Sequence, residues 1–232
     1  MKIAIAAAAA APLLLLLALA GTARAVTFDA TNTVPDSAGG QRFNQDVGVD
    51  YAKQVLSDAS SFIWTTFNQP NPGDRRDYDS VTLAVVDNIE PVAQTVGNAI
   101  QLRAQYVAGV DGDVKQKVKG VLYHEATHVW QWIDHYGEKP GLFEGIADYV
   151  RLKADLAPGH WVKDGGGDRW DQGYDVTARF LDYCDSLKPG FVAEMNGKLK
   201  DGYSDDYFVQ ILGKSVDELW SDYKAKYPQP QS

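Results

Sequence analysis

The sequence predicts an α+β domain in which a small sheet comes first and a helical half follows. Alternating, branched and aromatic residues cluster before about residue 110, and apolar residues at helical spacing dominate after it. The two kinds of segment do not alternate as βαβ units would require.

Each element follows from its own pattern. "VTFDATNT" alternates apolar residues and reads as a strand. "VGVDYAKQVLSDASSFIWTTF" places Tyr51, Val55, Ala59 and Phe62 at helical spacing, and "NQPNPGDRRD" ends that first helix with prolines and a glycine. "SVTLAVVDN" and "NAIQLRAQYVAG" read as further strands. In the latter, Ile100, Leu102, Ala104 and Tyr106 alternate with Gln101, Arg103 and Gln105, which predicts one buried and one wet face. "DVKQKVKGVLYHEATHVWQWIDH" then predicts a helix to about His135, stopped by "YGEKPG". "LFEGIADYVRLKADL" is a second helix of this half, "APGHWVKDGGGDRW" a loop, and "DQGYDVTARFLDYCDSL" a third helix, with shorter helical pieces after it.

The start of the chain has a different character. Met1 and Lys2 precede the apolar run "IAIAAAAAAPLLLLLALAG", and "TARA" precedes Val26. A basic start, an apolar core and a small-x-small end predict a secretory signal peptide over residues 1–25, leaving one domain over 26–232. The expected location is therefore extracellular, with no membrane partner after cleavage. A net charge of −9 argues against nucleic acid and anionic membrane surfaces as partners. With Cys184 as its one cysteine the chain has no intramolecular disulfide, so a core, and a metal if one binds, must hold the fold.

The stretch "YHEATHVWQW" carries the chemistry. On a helix His124 and His128 lie about 40° apart and one turn from each other, so both imidazoles reach one ion. Glu125 sits about 60° from His128, close enough to touch a water on that ion. This is the HExxH pattern, in which zinc acidifies a water and the glutamate takes its proton. A chance match on a solvated face is the bland alternative. Against it, Val114, Val118, Val121, Leu122, Val129 and Ile133 define an apolar stripe that contains Glu125, and a carboxylate there is costly unless paired.

A third ligand is needed. Asp134 stands ten residues after His124, but Gln131 occupies the position where a chain reversal would need glycine, and a continuing helix carries Asp134 about 9 Å past His128. Glu144 in "FEGIAD" is the better candidate, with Asp148 one turn later to orient a ligand histidine. This ExxxD arrangement is that of gluzincins.

"HEATHVWQW", "GLFEGIADYVRL" and "GGGDRWDQGYDVTARFLDYCDSL", in that order, resemble the plant basic secretory protein family, also described as peptidases of plants and bacteria. The likeness runs from about Thr27 to the C-terminus. It implies a zincin-like, gluzincin-type metallopeptidase fold with His124, His128 and Glu144 as zinc ligands and Glu125 as catalytic base. It also implies secretion, to the apoplast in a plant, and a part in plant defence. The acidity of this chain departs from the family's name.

Other residues carry weaker signals. Tyr174 reads either as a donor to the developing oxyanion or as a core tyrosine ahead of Thr177, Ala178, Leu181 and Cys184. His160 is a loop histidine, His135 a charge at a helix C-terminus, and Cys184 a small buried apolar residue. "DGGGD", Asp164 to Asp168, reads as a flexible loop in preference to a lid. Trp130, Trp132, Trp161 and Trp170 read as core, with a substrate groove as the alternative, and "AIQLRAQYV" as an edge strand able to pair with an extended peptide. The expectation is a secreted, monomeric zinc peptidase acting on proteins or peptides. A non-catalytic, defence-related binding protein with a structural zinc site is the competing reading. The intact Glu125 favours the enzyme, since a structural site has no use for a base there.

Overall fold

The computed structural model describes residues 25–229, so the predicted signal segment lies almost wholly outside the described residues. The described chain is α+β with a small mixed sheet. Strand β1 (Thr27–Asn32) runs parallel to β2 (Ser80–Val86), with Thr27 opposite Ser80, and β2 runs parallel to β4 (Ala99–Arg103). Strand β3 (Ala93–Val96) lies antiparallel to β4, so the order is β1-β2-β4-β3.

The α-helices are α1 (Ala38–Arg42), α2 (Val49–Thr66), α3 (Ala104–Gly109), α4 (Val114–Trp130), α5 (Pro140–Lys153), α6 (Tyr174–Leu187), α7 (Phe191–Lys198), α8 (Asp206–Leu212) and α9 (Val216–Lys226). One contiguous core joins the sheet to them: Leu83, Val85, Ile100 and Leu102 meet Val55, Leu56, Ala59 and Ile63 of α2 and Val118, Leu122 and Val129 of α4. Helix α4 is packed between α2 and α5, and every residue from Gly120 to Trp130 is buried. The HExxH segment therefore lies on a central helix whose geometry its neighbours hold rigidly.

Three sequence expectations need correction. The predicted strand through Tyr106 stops at Arg103, and Ala104 to Gly109 form helix α3. Arg42 of α1 donates to the carbonyls of Val107 (3.2 Å) and Ala108 (2.8 Å), giving the last turn of α3 a donor partner that alternation in sequence does not reveal. The strand read as an edge, β4, is interior; the edges are β1 and β3, and β3 has no counterpart among the strands expected from the sequence. The HExxH helix ends at Trp130 and does not reach His135. Gln131 is extended (φ −73°, ψ 152°), its carbonyl accepts from Arg76, and the Trp132 N–H donates to Asn196 Oδ1 at 3.0 Å.

The glycine loop is anchored and does not form a lid: Lys224 on α9 donates to the carbonyls of Gly165 and Gly167 at 2.6 and 2.7 Å. Trp130 is fully buried and donates to Ser60 Oγ, while Trp161 and Trp170 are nearly so. Cys184 is buried and free, and burial pushes its thiol pKa up, as expected of an inert core residue.

Candidate metal centre

Asp113 caps the start of α4, its carboxylate accepting from the Gln116 N–H at 3.0 Å, and α5 starts with Pro140 at its first position. The two helices pack together and bring His124, His128 and Glu144 to one point. His124 Nε2 lies 3.1 Å from His128 Nε2 and 3.1 Å from Glu144 Oε2, and His128 Nε2 lies 3.6 Å from that oxygen. Donors about 2 Å from a tetrahedral ion stand about 3.3 Å apart, so the spacing suits such an ion. Two imidazole nitrogens and one carboxylate oxygen are also a donor set suited to a borderline metal.

Surrounding groups hold these donors. Asp148 Oδ1 lies 2.7 Å from His124 Nδ1, leaving Nε2 to face the centre. In the metal-free protein burial opposes protonation of His124, but Asp148 and Glu144 outweigh it and push its pKa up to about 10. Burial likewise opposes ionisation of Glu144, and the two histidines overcome it and hold its pKa well below the usual carboxylate range. The Tyr136 hydroxyl donates to the other oxygen, Glu144 Oε1, at 2.8 Å. Gln131 Nε2 lies 2.9 Å from His128 Nδ1, and Gln131 Oε1 is buried without a partner. Gln131 Nε2 also donates to the Phe143 carbonyl at 3.4 Å; when the ring carries its proton on Nδ1, turning the amide over brings Oε1 to that N–H and gives up the Phe143 contact.

Glu125 is 6% exposed and projects from α4 toward the edge strand, where the Thr95 hydroxyl lies 2.7 Å from Oε2. This pairing resolves the cost of a carboxylate on the apolar stripe. Tyr174 is 56% exposed, which removes it from the core list. Its ring stacks on His124, with centroids 6.0 Å apart and planes 10° apart. Its φ of +46° is unfavourable for a bulky residue by about 1–2 kcal/mol. Gly145 makes this corner possible: a Cβ there would come within 2.2 Å of Thr177, so only glycine lets α5 and α6 approach so closely.

His124, His128, Glu144, Glu125, Asp148 and Tyr136 open into one cleft of about 1520 Å³, bordered also by Thr95, Tyr174 and Arg151. The remaining candidates fall elsewhere. Asp134 turns away and pairs with Arg76 at 3.0 Å, and His135 faces Glu138 at 3.1 Å on the surface. His160 borders the cleft outside the ligand cluster. Thr95, Gln131 and Tyr136 were missed in the sequence. Gln131, three residues after His128, has a legible spacing; Thr95 and Tyr136 depend on the fold.

Residues 23–223 match the family described as "Peptidase of plants and bacteria", and the chain belongs to it. It is also 50% identical over 58 residues to a protein of Boswellia serrata called "Basic secretory protease". That match covers 25% of this chain and 66% of the relative. No solved structure matches the chain.

Proposed function

We propose that this member of the peptidase-of-plants-and-bacteria family is a secreted zinc metallopeptidase, zincin-like in fold, with its active site in the α4–α5 cleft of a single domain over residues 26–232. The observation that carries the reading is the convergence of His124 Nε2, His128 Nε2 and Glu144 Oε2, with Glu125 beside them and facing the same cleft. The relative's name supports secretion, as does the signal-like start of the sequence. Among the described residues no helix is long and apolar enough to cross a membrane.

His124, His128 and Glu144 would hold the zinc, and Asp148 and Gln131 would fix the two imidazoles from behind. Zinc held there supplies positive charge that polarises a peptide carbonyl and makes water acidic near neutral pH. Glu125 takes the proton of the attacking water and delivers it to the departing amine nitrogen. Thr95 keeps that carboxylate aimed at the cleft. Tyr174, exposed at the rim beside His124, donates its O–H to the carbonyl oxygen as negative charge develops there. A peptide substrate lies along β3, whose outer edge borders the cleft and leaves backbone groups free to pair with an extended chain. The protein acts as a monomer, with a role in plant defence.

The competing reading, a binding protein with structural zinc, lacks an equivalent support. A structural site closes its fourth position with a protein ligand, and here that side opens into the cleft. The test is metal analysis of the purified protein alongside cleavage of a broad peptide library with and without a chelator. Stoichiometric zinc and chelator-sensitive cleavage are expected. Zinc-loaded protein that cleaves nothing would move the assignment to the binding protein.

A further inference from the structure

A second charged group in the cleft has no part in the proposed chemistry. Arg151, on α5 one turn beyond Asp148, borders the cleft, and its side chain is only 14% exposed. Three contacts fix its guanidinium. Nε donates to the Leu156 carbonyl at 3.2 Å. The group lies against Gly120 of α4, where a Cβ would come within 2.8 Å of Nε and 2.9 Å of Nη2. Its other neighbour is the Trp161 ring, with Cζ 5.3 Å from the centroid.

The terminal nitrogens are left without an acceptor among the described residues. The nearest carboxylate oxygen, Asp148 Oδ1, is 4.0 Å from Nη1, beyond hydrogen-bond distance, and is already engaged with His124. Asp155 borders the same cleft but makes no ion pair with Arg151 within 4.0 Å. Asp175 is occupied by the backbone N–H groups of Val162 and Val176 at 2.7 and 3.1 Å. Lys117, the other nearby cation, donates to the Asp111 carbonyl. A guanidinium presents a rigid fork of donors that fits the two oxygens of a carboxylate, and one held in place by packing loses little entropy when it binds. Burial lowers the pKa of Arg151, in keeping with a cation that has been partly stripped of water.

We propose that Arg151 is the carboxylate-recognising group of this cleft, so that the preferred substrates are peptides presenting a carboxylate, from a free C-terminus or an acidic side chain, within reach of its Nη atoms. The inference rests on the reading of the cleft as a peptide-cleaving site. It gives Arg151 a role in specificity and none in bond breaking.

The test uses short alanine-based peptides in matched pairs: C-terminal acid against amide and, with the amide kept, Glu against Gln at each position. Binding is measured by calorimetry on the zinc-loaded Glu125→Gln protein, and kcat/KM on the protein with Glu125 intact. The carboxylate member of one pair should bind about tenfold or more tightly. The pair concerned identifies the source as chain end or side chain. Arg151→Gln should level that preference while sparing the weaker member, and Arg151→Lys should keep part of it. Equal binding within every pair overturns the proposal. So does an Arg151→Gln loss shared equally by both members, which would make the residue a prop for Asp148. Should Arg151→Gln fail to fold, undiminished preference in Arg151→Lys and in its milder companion Arg151→Met would overturn the proposal as well. A carboxylate preference in binding with no cleavage of any peptide would refute the peptidase reading and leave the role of Arg151 standing.

Discussion

The Thr95 hydroxyl lies 2.7 Å from Glu125 Oε2 and so ties the central helix to the edge strand at the candidate base. Glu125 therefore meets the cleft from a fixed direction, set by a strand residue 30 positions earlier in the chain. Thr95→Val keeps the shape and removes the donor. It should lower turnover about tenfold, within the range for a lost positioning contact, and leave zinc content unchanged. Steady-state kinetics with metal analysis checks this, and unchanged turnover would confine Thr95 to a structural part.

Glu125→Gln separates base from scaffold. The amide nearly matches the carboxylate in shape but cannot accept the proton of a water. Peptide cleavage should fall about 10²–10⁴-fold, with metal and fold retained. If the variant cleaves the library as the parent does, and a chelator affects neither, the activity belongs to another site or a contaminant.

Gln131 should act on the metal through His128. Gln131→Leu leaves the Nδ1 side of that ring without a polar partner, and zinc affinity should weaken about 10–100-fold. Competition with a chromophoric chelator measures the affinity, and nitrogen NMR of the imidazole reports the tautomer. An unaltered dissociation constant would remove Gln131 from the metal support.

The two tyrosines of the cleft should separate in their effects. Tyr174→Phe should lower kcat about 10²-fold with zinc content intact, as loss of an oxyanion donor does. Tyr136 donates instead to Glu144 Oε1, so Tyr136→Phe should act mainly on metal affinity. The reverse pattern would exchange the roles proposed for them.

The charge on His124 makes metal binding depend on pH. In the metal-free protein its pKa is raised from 6.5 to about 10, so its contribution to stability is complete below pH 6.5 and fades as pH rises toward 10. A metal needs the neutral ring, so zinc uptake at pH 7 should release about one proton and weaken as pH falls. Calorimetry in buffers of different ionisation enthalpy counts that proton. Uptake without proton release would mean that His124 is already neutral in the metal-free protein.

Local patterns carried the reading of the sequence a long way. The spacing of His124 and His128 depends only on helix geometry, and Glu144 and Asp148 on one turn of the next helix, so both pairs were legible before any fold was known. The periodicity of α2 and α6 was equally plain, since each buries one face and leaves the other wet, whereas α5 is buried on all sides from Gly145 to Val150. Signals failed where distant groups complete a segment's hydrogen bonds. Ala104 to Gly109 alternate like a strand, yet Arg42 satisfies their last carbonyls and they fold as a helix. The HExxH helix stops at Trp130 because Arg76 and Asn196 take the backbone groups that follow. Tyr174 could be placed only by tertiary structure, because its neighbours suggest a core helix while the close α5–α6 packing at Gly145 sets it at the cleft rim. Side-chain periodicity is a property of one segment, whereas strand order, the partner of Glu125 and the free face of Arg151 arise from contacts between segments that no single stretch of sequence encodes.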